Sequence, residues 1–161
     1  MSEPNEPKPI AWDIEWIMSV LPHRYPILLV DRVLEIEPKK RIVAIKNVTI
    51  NEEIFLGHFP GRPVMPGVLL IEGMAQAGGL LLLHDHPDRE GKLLYFAGIE
   101  EAKFRRPVIP GDQVRYEIEV LRLRTTFGKV AGKALVDGEV AAEAILSTAM
   151  VDRTIGREPR R

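Results

Sequence analysis

His58 and Glu72 are the two side chains in this sequence whose type and setting suit acid–base chemistry. His58 sits in the run Gly57-His58-Phe59-Pro60-Gly61-Arg62-Pro63-Val64-Met65-Pro66-Gly67. Pro60, Pro63 and Pro66 fix φ and stiffen that loop, so it can hold a side chain in one place. An imidazole held there titrates near neutrality and can carry a proton. A histidine that only hydrogen-bonds to loop backbone would read the same way. Glu72 is more informative, because it stands between Leu69-Leu70-Ile71 and Gly73-Met74-Ala75 in a stretch that is apolar on nearly every side. Burying a carboxylate without partners is costly and raises its pKa, which is what a general acid needs. An ion pair or an interface would account for it equally. Pro66-Gly67 opens the same stretch. Proline suits a first helical turn, and glycine leaves its N–H accessible at the positive end of the helix dipole. That N–H could hold a carbonyl oxygen as negative charge develops on it, although a plain helix start needs no more than Pro-Gly.

Other residues carry weaker signals. His84-Asp85-His86 has the composition of a metal site but no third ligand, so it reads as a solvated helix end and no metal is expected. His23-Arg24-Tyr25-Pro26 reads as a turn. Tyr95 reads as a strand residue that packs or gates a tunnel, and Phe59 as a lining residue beside His58. Arg105 and Arg106, with Lys103, read as a solvated basic face that matters only if a substrate arrives on an acidic carrier.

The elements that must position these groups are legible from periodicity. Apolar residues at 12, 16, 17 and 20 predict a helix over Trp12 to Val20, closed by Leu21-Pro22. Strands are predicted over Ile27 to Glu37 and Arg41 to Ile50, and a helix from Val68 to about His84. Leu93 to Ile99 predicts a short strand, with Ala102 to Arg105 continuing around a bend. Gln113 to Thr125 alternates apolar and polar, and Lys129 to Val136 joins Val140 to Val151 through Asp137-Gly138, a type I′ hairpin signal. The helix from Val68 cannot lie on a surface with one face in water. A curved antiparallel sheet wrapped around it would bury it, an α+β hot-dog arrangement. A doubly wound fold does not fit, since strands and helices do not alternate.

The 161 residues suit one domain, with 1–10 and 154–161 expected to be flexible. Apolar residues make up 45%, enough for a real core, and the formal charge of −1 gives no argument for nucleic acid or a membrane surface. The absence of cysteine excludes disulfides and thiolate catalysis, and it fits a reducing cytoplasm. Met1 to Pro9 has no basic-then-apolar leader pattern. Pro66, Gly67, Glu72, Gly73 and Gln76 make the apolar run Val64 to Leu83 a poor membrane span.

Three segments together resemble the β-hydroxyacyl-acyl-carrier-protein dehydratases of the FabZ type. They are Leu21-Pro22-His23-Arg24-Tyr25-Pro26-Ile27-Leu28-Leu29-Val30-Asp31-Arg32, then Gly57 through Gln76, then Tyr95-Phe96-Ala97-Gly98-Ile99 with Lys103 through Asp112. The hairpin from Gly132 to Glu143 completes a likeness running from about Trp12 to Asp152. The resemblance implies a hot-dog fold and a reaction that dehydrates 3-hydroxyacyl-acyl-carrier protein to the trans-2-enoyl product without a cofactor. It implies that His58 is the catalytic imidazole, that Glu72 comes from a neighbouring subunit, and that the Gly67 N–H polarises the thioester carbonyl. Glutamate at 72 fits the FabZ type, where the FabA type has aspartate. It also implies homodimers, often a trimer of dimers, and an acidic acyl-carrier protein as partner, docking at Arg105, Arg106 and Lys103. The same reading leaves open whether His58 serves both proton steps, and whether the product feeds lipid A or phospholipid. A thioesterase and a non-catalytic acyl-binding module are the rival readings, with the isomerase activity of the aspartate type a minor third.

Overall fold

A short helix, α1 (Ile14–Val20), begins at Asp13, whose carboxylate accepts the Trp16 N–H at 3.0 Å and so satisfies one of the orphan donors of the first turn. The computed structural model describes residues 12–153. The expectations for 1–10 and 154–161 fall outside that range. The main elements follow in the order β1 (Arg32–Glu37), β2 (Arg41–Asn47), α2 (Gly67–Leu83), β3 (Lys92–Phe104), β4 (Gln113–Arg124), β5 (Phe127–Val136) and β6 (Glu139–Asp152).

The six strands make one antiparallel sheet in the order β1-β2-β4-β5-β6-β3, and α2 packs against β2, β4, β5 and β6. This is the hot-dog arrangement. Its logic is the one the apolar helix demands: Leu70, Ile71, Met74, Ala77, Leu80 and Leu81 are all buried, and the sheet supplies Ile42, Val114, Ile118, Val130 and Leu146 against them. Each of these side chains except Ala77 contributes about 1.5–3 kcal/mol relative to exposure. The sheet approaches the helix closely. A methyl group at Gly73 would lie 2.0 Å from Tyr116 Oη, so the tyrosine ring occupies the place a side chain would take.

Two boundaries differ from the sequence reading. The predicted strand from Ile27 begins only at Arg32, because Ile27 to Leu29 spend their backbone groups on side chains of α2 and β4 instead of a ladder. The predicted break after Ile99 is instead a continuous strand whose register slips between Phe96 and Gly98 and between Glu100 and Lys103, with Glu101 at φ +52°. Asp137 and Gly138 both have positive φ, as the type I′ turn requires. Strand β3 lies at one edge of the sheet, with Tyr95, Phe96, Ile99 and Phe104 exposed along it.

Candidate active site

A single 3₁₀ turn, Glu53–Leu56, delivers the chain to His58. The His58 N–H donates to Ile54 O at 3.1 Å, the Val64 N–H returns to His58 O at 3.1 Å, and Phe59 and Arg62 exchange both backbone bonds. Met65 then ties the loop to Val108 O at 2.8 Å. The prolines therefore act together with a closed set of backbone bonds. His58 Nδ1 lies 2.6 Å from Val64 O. A carbonyl can only accept, so Nδ1 carries the hydrogen and the neutral ring keeps its lone pair on Nε2. Phe59 is half exposed and stacks on the imidazole, with ring centroids 4.0 Å apart.

His58 and Gly67 share one hollow of about 550 Å³, together with Leu70, Phe104, Arg105 and Arg106. Gly67 is the first residue of α2, and no side chain caps the helix there. A methyl at 67 would meet the Phe104 ring at 2.8 Å, so only glycine lets the aromatic wall and the helix start come this close. His58 and the uncapped start of α2 thus border one space.

Glu72 lies elsewhere. It faces a small cavity of about 60 Å³ with His23, Gln76, Phe96 and Thr148. Gln76 is buried and saturated: its Oε1 accepts the Leu29 N–H at 2.8 Å, and its Nε2 donates to Ile27 O at 2.7 Å and to Glu72 Oε1 at 3.0 Å. His23 Nε2 stands 3.5 Å from the same carboxylate oxygen. Burial pushes the Glu72 carboxyl up, but hydrogen bonding from His23 and Gln76 and the charge of His23 outweigh it, and the group is held below the ordinary carboxylate range. The expectation of a raised pKa is therefore corrected for this chain. It held only for a carboxylate without partners, and Glu72 has two.

Within one chain, then, His58 and Gly67 are together and Glu72 is apart. Helix geometry explains the separation, because five residues of α2 turn the chain by about 140° between positions 67 and 72 and advance it by about 7.5 Å. Arg105 and Arg106 flank the His58 hollow, but each has a carboxylate partner, Glu143 at 2.9 Å and Glu139 at 2.6 Å. Lys103 is exposed on β3, opposite Glu143 in register. Tyr95 is 55% exposed and lines neither the His58 hollow nor the Glu72 cavity, whereas its neighbour Phe96 lines the latter. His84 Nδ1 lies 3.1 Å from the carbonyls of Leu80 and Leu81, a helix-end role. Among the described residues no helix is long and apolar enough to cross a membrane. The sequence reading missed His23 and Gln76 as site residues. Gln76 was findable, being a polar residue one turn from Glu72 on a buried helix. Nothing in the sequence alone sets His23 against Glu72.

Residues 21–145 match the model of the FabA-like domain. This chain belongs to the FabA-like family. It is similar to proteins of the FabZ type. A 3-hydroxyacyl-[acyl-carrier-protein] dehydratase FabZ of Koribacter versatilis is 59% identical over 141 residues, 88% of this chain and 90% of that protein. The FabZ of Desulforamulus reducens is 58% identical over 138 residues, 86% of this chain and 96% of that protein. Among solved structures, the dehydratase heterocomplex ApeI:P of Xenorhabdus doucetiae superposes with a TM-score of 0.74 at 20% identity, covering 86% of this chain and 92% of that one, a likeness of fold. The FabA-like match spans both the His58 loop and α2, and of the residues named around the two hollows only Thr148 lies beyond it.

Proposed function

We propose that this protein removes water from a 3-hydroxyacyl chain held as a thioester on acyl-carrier protein, giving the trans-2-enoyl thioester of fatty-acid synthesis. The observation that carries the reading is the His58 hollow: a fixed imidazole with a basic Nε2 beside an uncapped helix start, in a chain more than half identical to FabZ dehydratases. The proton at C2 of a thioester is weakly acidic, so a base alone is not enough. His58 takes that proton while the Gly67 N–H steadies the oxygen on which charge collects. The C3–O bond then breaks, and the departing hydroxyl needs a proton to leave as water.

Two routes supply it. In the first, Glu72 as a carboxylic acid donates it. In the second, protonated His58 returns the C2 proton to the hydroxyl, and the Glu72 carboxylate accepts the hydroxyl's hydrogen bond and orients it. The low pKa of Glu72 favours the second route. Either route needs Glu72 and His58 in one space, and the separation of their hollows within one chain supports a site shared between two copies. Exposed apolar side chains on edge strand β3 offer a seam for such a homodimer. Exposed Ile14, Tyr25, Ile54 and Leu56 offer further apolar surface for a trimer of dimers. Arg105, Arg106 and Lys103 at the mouth of the His58 hollow would meet the acidic carrier, with Phe59 and Tyr95 as candidates to line or gate the acyl path. With no cysteine to oxidise, the chain suits the cytoplasm, where we place it. The source of demand for the product, lipid A or phospholipid, lies downstream of this chemistry.

The test is product analysis. Purified protein is incubated with 3-hydroxyacyl-acyl-carrier protein and followed by mass spectrometry, with His58→Ala and Glu72→Gln alongside. Loss of one water, abolished in His58→Ala, is the expected result. Free carrier thiol would instead mean a thioesterase, and unchanged substrate bound by folded protein would mean an acyl-binding module.

A further inference from the structure

The small cavity beside Glu72 contains two polar atoms with no partner. Thr148 Oγ1 and His23 Nδ1 are both buried, and neither makes a hydrogen bond. Thr148 is only 8% exposed, and it sits on the same face of β6 as Ala142, Ala144 and Leu146, where the core asks for an apolar residue. A buried hydroxyl left unsatisfied costs about 1–3 kcal/mol in general, so its presence on an inward face calls for a reason. Both residues line the same space of about 60 Å³, which is room for a water molecule with two or more polar partners. The opposite nitrogen of His23 reaches Glu72 Oε1.

We propose that Thr148, a water held in this cavity, and His23 form a hydrogen-bonded chain that ends on Glu72 and positions its carboxylate for the dehydration. The proposal rests on the dehydratase reading above and adds two residues to it. The carboxylate can only accept, so His23 presents Nε2–H to Glu72. Its Nδ1 then accepts from the water, and the water exchanges a hydrogen bond with the Thr148 hydroxyl. The carboxylate sets the tautomer, and the water and the hydroxyl hold the far edge of the His23 ring in place behind it. Gln76 and His23 both engage Oε1, and Oε2 makes no hydrogen bond among the described residues, so Oε2 is the oxygen turned to substrate. Of the groups lining the cavity only His23 and Glu72 titrate, since Ala75, Gln76, Leu94, Phe96 and Thr148 do not. From β4, the Tyr116 phenol packs behind Gly73 with its own pKa pushed up by burial, and it donates to Leu29 O. Thr148 and His23 are positioning residues, acting through Glu72.

Thr148→Val keeps the shape and removes the hydroxyl. In the carrier-linked assay it should lower kcat about three- to tenfold, the size of one lost hydrogen bond, with KM little changed. The limb of the pH profile that reports Glu72 should move, and Thr148→Ser should restore it. In a His23→Gln background the same Thr148→Val change should have no further effect, because the chain is already cut. A readout independent of turnover is the ring ¹⁵N spectrum of histidine-labelled protein, assigned with His23→Gln. The His23 Nδ1 signal should move in Thr148→Val and return in Thr148→Ser. An unmoved His23 signal with an unmoved pH profile overturns the proposal, as does an equal loss of kcat with and without His23. If wild type releases no water from the substrate, the dehydratase reading fails instead, and the ¹⁵N result still reports on the chain.

Discussion

The His58 loop and the Glu72 patch solve the same problem by different means. His58 is oriented by backbone: Val64 O fixes its tautomer, and four backbone bonds around it close the loop. Glu72 is oriented by side chains, Gln76 and His23, which are themselves held by other groups. Backbone support depends little on the side chains at loop positions other than the prolines and Gly61, whose φ is +76°, so it survives most other substitutions. Side-chain support fails when any one link is removed. The base should therefore tolerate changes around it, and the carboxylate should not.

Gln76→Leu breaks this comparison most severely. It removes the donor to Glu72, orphans the buried Leu29 N–H, and takes the partner from the part-buried Ile27 carbonyl. At about 1–3 kcal/mol for each unsatisfied group, a loss of about 2–5 kcal/mol is expected, together with most of the activity. Urea melts at fixed protein concentration measure the first part, and the carrier-linked assay the second. Stability within about 1 kcal/mol of wild type, the error of such melts, would mean that water replaces the amide and that the patch is less demanding than the loop.

Glycine substitutions compare the two regions at the same chemical change. Beside Glu72, Gly73→Ala drives a methyl into the Tyr116 hydroxyl and ring, and overpacking of this kind costs about 1–3 kcal/mol or more. Beside His58, Gly57→Ala meets nothing within 4 Å and leaves φ in an ordinary region, so a change of about 0.5 kcal/mol or less is expected. Thermal melts of both variants check the pair. Equal destabilisation would show that the His58 loop is packed as tightly as the helix.

These contrasts also mark what the sequence could and could not reveal. The hot-dog arrangement followed from two facts, that α2 is apolar on nearly every side and that β4 alternates. His58 and Glu72 stood out because each is a titratable group in an unlikely setting, and the long motif from Gly57 to Gln76 made them specific. The environment of Glu72 was not legible. Its low pKa depends on His23, which lies 49 residues earlier and is brought close only by the extended segment over α2. The pairing of Arg105 and Arg106 with Glu143 and Glu139 was hidden for the same reason, being set by the register of β6 beside them. Local pattern identifies a residue as unusual. Its charge state is decided by neighbours distant in sequence.

Those two arginines provide a smaller test. They border the His58 hollow and not the Glu72 cavity, so reversing their charge should change how the carrier arrives and leave the chemistry alone. Arg105→Glu with Arg106→Glu should raise KM for the carrier-linked substrate by about tenfold at low salt, with kcat unchanged and the effect shrinking as salt rises. Unchanged KM at low salt would remove this face from the docking surface.

The smallest effect carries the most information about Glu72. Its folded pKa lies below the unfolded value of 4.5, so its contribution to stability is fully present above that value and is lost as pH falls through the folded pKa. Glu72→Gln lacks that contribution at every pH. Urea melts of wild type and variant should therefore converge as pH is lowered from 7 to about 4 and below. If burial by a second subunit instead raises the pKa, the sign reverses: ionisation would weaken wild type near neutrality, and wild type would gain on the variant in acid. Convergence supports the route in which His58 carries both protons and Glu72 orients the hydroxyl. Divergence supports Glu72 as the acid, and it would identify the assembled dimer, not the single chain, as the unit that tunes it.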